Sequence, residues 1–229
     1  VTALHAFDRL RAQRLAEASK PFAARGATLK RCPNCLLADQ YCLCQERQPI
    51  ITRHEFVLLM HRNEVFKPSN SGRLIADIFP QNCHAFCWRR PSAPEGFDAV
   101  VRSGRCKPLL VFPERNKESA RTVLASLDGE VKYCFIFLDG TWKQASRMFH
   151  LSAWLQDLDC LHLDALQPSQ YLARKSHTAH GLATAEAAIH CLDLAGDDRQ
   201  AQHLQHYFAL FNRRYSNFRS GGREIEEVL

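Results

Sequence analysis

The sequence predicts an α/β fold, a mostly parallel sheet with helices on both faces, and three observations carry that prediction. From Glu55 onward, short β-rich runs alternate with helical patterns. Runs such as Phe56-Val-Leu-Leu-Met60 and Tyr133-Cys-Phe-Ile-Phe-Leu138 are apolar throughout, the habit of strands buried on both faces. Of the 229 residues, 46% are hydrophobic and 24% charged, which is ordinary for a globular protein and argues against disorder or collagen-like repetition. The apolar runs fall far short of the roughly 20 residues that span a bilayer, so no membrane partner is expected.

Residues 3–18 read as a helix with an irregular apolar side of Leu4, Phe7, Leu10 and Leu15, closed by Pro21 and Gly26. Strands are predicted over 56–60, 83–88, 109–112, 133–138 and 160–163. Helices are predicted over 71–79, 116–127, 141–149, 182–194 and 200–215. This divides the chain into an N-terminal element, 1–50, and a larger domain, 51–229. Arg9, Arg11 and Arg14 lie in helix-forming sequence with no apolar run and cleavage site behind them, so export is not expected and the cytoplasm is.

The formal net charge of +6 is concentrated at the start. Residues 1–31 hold Arg9, Arg11, Arg14, Lys20, Arg25, Lys30 and Arg31 against Asp8 and Glu17, a net +5. Such an arm suits a phosphate backbone, although a solvated basic face gives the same pattern.

Four of the ten cysteines form Cys32-x2-Cys35-x6-Cys42-x-Cys44. Four thiolates at this spacing make a tetrahedral zinc site, and a closed thiolate shell makes the metal structural, since no ligand position remains for chemistry. A reducing cytosol disfavours two disulfides as the alternative. The remaining cysteines are dispersed in apolar segments and read as small buried hydrophobes.

In parallel sheets, ligands bind beyond the carboxyl ends of the strands. Two segments occupy such positions: Phe112-Pro113-Glu114 and Asp139-Gly140-Thr141-Trp142. In the latter, Gly140 permits a tight turn, Thr141 can cap the following helix, and Asp139 projects a carboxylate. Trp142 is placed either on a ligand or in the core. The polar loop Ser69-Asn-Ser-Gly-Arg-Leu74, preceded by His61-Arg-Asn-Glu64 and Lys67, leads into a helix start that could receive phosphate or be a plain capped turn. Ser169-Gln-Tyr171-Leu-Ala-Arg174-Lys175 precedes another helix start, where Thr184 and Glu186 stand too close for a capping box. The eleven histidines show no metal-binding spacing, and no G-x-S-x-G elbow supports a serine hydrolase.

In their order and spacing, the cysteine motif, Ser69-Asn-Ser-Gly-Arg-Leu74, Leu110-Val-Phe-Pro113, Asp139-Gly-Thr-Trp-Lys-Gln-Ala145 and Thr184-Ala-Glu-Ala187 resemble the DTW-domain family over about residues 30–195. Two departures are visible: serines stand at 69 and 71 where the family usually carries threonine, and Ala183 stands where its motif begins with serine. The resemblance implies a transfer RNA uridine aminocarboxypropyltransferase, acting at N3 of a uridine in the variable loop as the bacterial members do. It also implies a SPOUT-like knotted sheet, with S-adenosylmethionine among three loops near the knot.

On that resemblance, Asp139 and Trp142 are expected at the reaction centre, with Asp139 as the base that receives the N3 proton. Leu110, Phe112, Pro113, Leu138, Gly140, Thr141, Trp142 and Thr184 are expected to hold the cofactor. Lys67, Arg73, Lys143, Arg147 and Arg174 are candidate contacts to RNA, and no protein partner is evident. An S-adenosylmethionine-dependent RNA methyltransferase and a non-catalytic zinc-containing RNA-binding module are the alternatives.

Overall fold

A computed structural model describes residues 4–18, 30–112, 122–163 and 182–219. Within these, six strands form one parallel sheet in the order β2-β1-β5-β3-β6-β4. The strands are β1 (Glu55–Met60), β2 (Cys83–Cys87), β3 (Lys107–Val111), β4 (Val123–Leu124), β5 (Tyr133–Asp139) and β6 (Cys160–Leu161). The helices are α1 (Ala6–Ala16), α2 (Gly72–Ile78), α3 (Phe97–Val101), α4 (Trp142–His150), α5 (Thr184–Leu194) and α6 (Asp198–Arg219). The expected mixture of parallel strands and flanking helices is therefore present.

Strand alternation separates two cores. Phe56, Leu58 and Met60 of β1 and Tyr133, Phe135 and Phe137 of β5 face one side, packed with α2, α5, α6 and Phe7 and Leu10 of α1. Val57, Leu59, Cys134, Ile136 and Leu138 face the other, against Phe97 and Val101 of α3 and Met148 and Phe149 of α4. Each such side chain, fully buried, contributes about 1.5–3 kcal/mol, so both faces of the sheet are stabilised at once. From β1 the chain runs to β2 on one side, then lays β3 on the opposite side and slips β5 between. The carboxyl ends of β1, β5 and β3 therefore meet at a switch in winding direction, where parallel sheets bind ligands.

One predicted helix is replaced, and one helix is present that the sequence does not predict. The helix expected over 116–127 is replaced, in its described part, by β4, because Val123 and Leu124 pair beside β6 and β-branched sequence fits a sheet edge. The short α3, entered through Gly96 at φ 79°, lacks the length to show a helical period in sequence. Residues 116–121, Pro21, Gly26, Lys20, Arg25, Pro113 and the Ser169–Lys175 segment with Arg174 lie outside the described residues.

The N-terminal segment shares the first core, since Phe7, Leu10, Cys32, Cys35, Leu37 and Leu43 belong to it. A buried carboxylate, Asp77 of α2, joins four segments. His5 Nδ1 accepts from the Asp8 N–H at 3.3 Å, leaving Nε2 to donate to Asp77 Oδ1 at 2.9 Å. Arg47 Nε lies 2.8 Å from the same oxygen, and the Tyr207 hydroxyl of α6 donates to the other at 3.0 Å. Burial pushes the Asp77 carboxyl up, but the His5 hydrogen bond and the Arg47 and Arg73 charges outweigh it and hold it below its ordinary value.

Removing one member of such a network leaves the others buried without a partner. Asp77→Ala is expected to lose about 3–5 kcal/mol in urea unfolding at neutral pH. Because the folded value is depressed, this stabilisation is complete above the unfolded carboxylate range. The gap between wild type and Asp77→Ala therefore stays constant down to about pH 4 and narrows below it.

Candidate active site and metal centre

Met60, the last residue of β1, is in register with Asp139, the last of β5, and Val111 of β3 with Phe137. Alternation along β5 turns the Asp139 side chain toward α2 and α5, where it is 3% exposed. Asn70 Nδ2 donates to Oδ2 at 2.8 Å and the Thr184 hydroxyl to Oδ1 at 3.1 Å. The direction of the first bond is fixed: the Arg73 N–H donates to Asn70 Oδ1 at 3.0 Å, leaving the amide only its NH2 group for Asp139. Gly72 is required for the approach, since a Cβ there would lie 2.4 Å from Asp139 Oδ2.

The same contacts cap α5. Ala183 is its N-cap residue and has no side-chain acceptor, yet Glu186 accepts from the Ala183 N–H at 2.7 Å. This is half of a capping box that starts one residue before Thr184, at the three-residue spacing from Ala183 to Glu186 that such a box needs. Ser71 Oγ supplies a substitute for the missing hydroxyl by accepting from the Ala185 N–H at 3.4 Å.

On the opposite side of the strand ends, Thr141 and Gln144 form a full capping box: Thr141 Oγ1 accepts from the Gln144 N–H at 3.4 Å and Gln144 Oε1 from the Thr141 N–H at 2.8 Å. Trp142 begins α4 with its indole 50% exposed, stacked on Phe112 at 5.7 Å and 8°, and Phe112 stacks on Phe149 at 4.3 Å. The indole is therefore not a core residue but an exposed plate on an aromatic base. Such a face fits a sulfonium by cation–π attraction or a nucleobase by stacking.

The four cysteine sulfurs lie within 4.8 Å of one another, with Cys32–Cys44 at 3.6 Å and Cys35–Cys42 at 3.8 Å. A zinc–sulfur bond of about 2.3 Å gives tetrahedral edges of about 3.8 Å, so the donor set fits zinc. Leu36 turns the loop at φ 62° and lets the Cys32 N–H reach the Leu37 carbonyl at 2.9 Å. Arg11 donates to the Pro33 and Asn34 carbonyls, Arg73 to that of Cys35 and Arg214 to that of Cys42.

These bonds revise the expected RNA contacts. Arg73 is 1% exposed, engaged by Cys35 and lying over the Phe211 ring at 5.3 Å, so it is a packing residue of the metal loop and not a phosphate contact. Arg11 likewise serves the metal loop, Arg14 pairs with Glu17, and Arg31 covers Phe218. Lys143 and Arg147 are exposed one turn apart on α4 beside Trp142, while Lys67 pairs with Glu64.

Leu110 is corrected too: it sits inside β3, paired with Ile136 and Cys160 and fully buried, so its side chain is core. Phe112, Leu138, Gly140, Thr141, Trp142 and Thr184 do gather at the strand ends. Sequence reasoning assigned no role to Asn70, Gly72 or Gln144. Thr141-x-x-Gln144 was the legible signal, being a capping-box spacing.

A family model described as the DTW domain matches residues 29–216. The chain is 26% identical over 167 residues to a Macaca fascicularis protein named tRNA-uridine aminocarboxypropyltransferase 2, a match covering 71% of this chain and 55% of that protein. It is 25% identical over 166 residues to a Drosophila melanogaster protein of the same name, covering 71% and 65%. The chain thus spans between about half and two thirds of the curated relatives it matches. No solved structure matches it.

The metal site yields a direct expectation. Purified protein should contain one equivalent of zinc by elemental analysis, and Cys35→Ser should lose it. That variant should also unfold at lower urea concentration, because the metal supplies folding free energy to a loop with little core of its own.

Proposed function

The chain belongs to the DTW domain family, and from that premise we propose that it transfers the 3-amino-3-carboxypropyl group of S-adenosylmethionine to N3 of a uridine in transfer RNA, releasing methylthioadenosine. The observation that carries this reading is the convergence on one carboxylate: Asn70 and Thr184, from two distant segments, both hold Asp139, three residues before the exposed Trp142 in the chain. The names of the Macaca fascicularis and Drosophila melanogaster relatives support the substrate and the transferred group.

S-adenosylmethionine supplies, when bound, a carbon made electrophilic by the adjacent sulfonium. Phe112, Leu138, Gly140, Thr141, Trp142 and Thr184 would hold it, with Pro113 from the same loop. Asp139 receives the N3 proton of the uracil at a carboxylate oxygen. Asn70 and Thr184 fix the carboxylate before the base arrives, which removes reorganisation from the proton-transfer step. Uridine N3 lies on the pairing edge, so the base enters unpaired or turned outward. Lys143 and Arg147, exposed on α4, would take the adjoining phosphates, and Lys67 and Arg174 are the further proposed contacts.

The reading extends to the architecture. Residues 1–50 act as a zinc-braced element on the 51–229 catalytic domain, and the latter adopts the SPOUT-like knot, a proposal supported by the family and by the parallel sheet whose strand ends carry the site. A uridine of the variable loop is the proposed target, and the cytoplasm is the proposed location. No helix among the described residues is long and apolar enough to cross a membrane.

Isotope separates this reaction from methylation. With S-adenosylmethionine made from methionine labelled at its carboxyl carbon, label should appear in transfer RNA nucleosides by mass spectrometry. Label arriving only from the methyl carbon would establish methylation instead, and RNA bound without either label would make the protein a binding module. Asp139→Asn is expected to slow the reaction on the order of 10²–10⁴-fold with cofactor affinity by calorimetry largely kept.

A further inference from the structure

His61 directly follows β1 and lies against the Asp139–Trp142 turn. Its N–H donates to the Asp139 carbonyl at 2.9 Å, and its Cβ would lie 3.5 Å from a Cβ on Gly140. Its ring Nδ1 is 3.1 Å from Gln144 Nε2. The direction of this contact follows from the capping box. A backbone N–H can only donate, so the Thr141 N–H at 2.8 Å defines Gln144 Oε1 as the acceptor end of the amide and leaves its NH2 for His61. An NH2 group can only donate, so Nδ1 accepts and the neutral ring carries its proton on Nε2.

Among the described residues, Nε2 meets no hydrogen-bond partner, and the ring is partly exposed. Burial lowers the imidazole pKa; Glu64 opposes this, and Lys67, Arg62 and Arg147 reinforce it. The ring is thus neutral near pH 7, a fixed N–H donor at the mouth of the strand-end site. Lys67, Arg62 and Arg147 nearby suit a ring that meets an electron-rich oxygen carried in by RNA.

We propose that the His61 Nε2–H donates a hydrogen bond to a carbonyl oxygen of the target uracil and stabilises the negative charge that reaches this oxygen when N3 loses its proton. The inference rests on the functional reading above. When the proton passes to the base, the electron pair left on N3 is shared with the flanking carbonyl oxygens, so a donor at either one eases the proton's departure. A neutral imidazole suits this position because it donates without holding the uracil anion so tightly that N3 loses nucleophilicity. The capping box of α4 therefore has a second consequence: through Gln144, it sets the tautomer of a residue in the reaction.

The test has a spectroscopic and a kinetic part. In ¹⁵N-histidine spectra of the free protein, His61 should be the Nε2-protonated tautomer at neutral pH; an Nδ1-protonated ring or an imidazolium overturns the proposal. In single-turnover assays with transfer RNA and saturating S-adenosylmethionine, His61→Ala should be slower on the order of 10²-fold, with cofactor affinity by calorimetry unchanged. Gln144→Glu should reverse the tautomer, since a carboxylate accepts from both the Thr141 N–H and an Nδ1–H. The new carboxylate also raises the ring's pKa, so the rate should fall above that pKa and recover relative to wild type below it, where the imidazolium restores the Nε2 donor.

A merely structural His61 gives no acid recovery. Wild-type speed in His61→Ala, a loss confined to cofactor affinity, or a Gln144→Glu profile parallel to wild type overturns the role. A wild type that leaves RNA unlabelled in the carboxyl-carbon assay removes the functional reading and this role with it. A labelled wild type with a fast His61→Ala removes the role alone.

Discussion

Among the described residues, the carboxylate of Asp139 accepts from Asn70 at 2.8 Å and from Thr184 at 3.1 Å, and these bonds tie three segments together. Hydrogen bonds to a charged group contribute about 1.5–3 kcal/mol each, and the cost of a buried carboxylate without them is larger still. The loop before α2 and the start of α5 are therefore held to the end of β5 more strictly than van der Waals packing would require. Gly72 marks how close that approach is, because the position has no room for a Cβ.

Asn70 also passes this constraint to the metal loop. Its oxygen accepts from the Arg73 N–H, and the Arg73 guanidinium holds the Cys35 carbonyl from a fully buried position. Four thiolates around a divalent ion carry excess negative charge, and Arg11, Arg73 and Arg214 approach the loop carbonyls from α1, α2 and α6. Of the cations that make the N-terminus conspicuous in sequence, Arg11 and Arg31 bond carbonyls of this element. Lys143 and Arg147, exposed near the strand ends, lie on α4 instead.

The two side-chain amides of the site follow one rule. Asn70 and Gln144 each have their oxygen occupied by a backbone N–H and so present NH2 to a neighbour at the strand ends, Asp139 in one case and His61 in the other. They stand on opposite faces of the sheet. The edge between them, with Trp142 on its aromatic base, brings a proton acceptor, an aromatic face and basic groups together at the ends of β1, β5 and β3.

The sequence by itself determined the parallel sheet, since uniformly apolar runs such as Tyr133–Leu138 are stable only when buried on both faces. It likewise determined the four-cysteine cluster, the turn at Gly140 and the Thr141 cap, because these depend on neighbours a few residues away. It did not show that Leu110 and Arg73 are buried, that Trp142 is exposed, or that α5 begins at Ala183 with Ser71 closing its end. Nor did it pair Asn70 and Thr184 with Asp139 across 69 and 45 residues. Those matters were decided only by the tertiary structure, for one physical reason: burial and hydrogen-bond direction depend on which distant segment arrives, and local periodicity carries no record of the arrival.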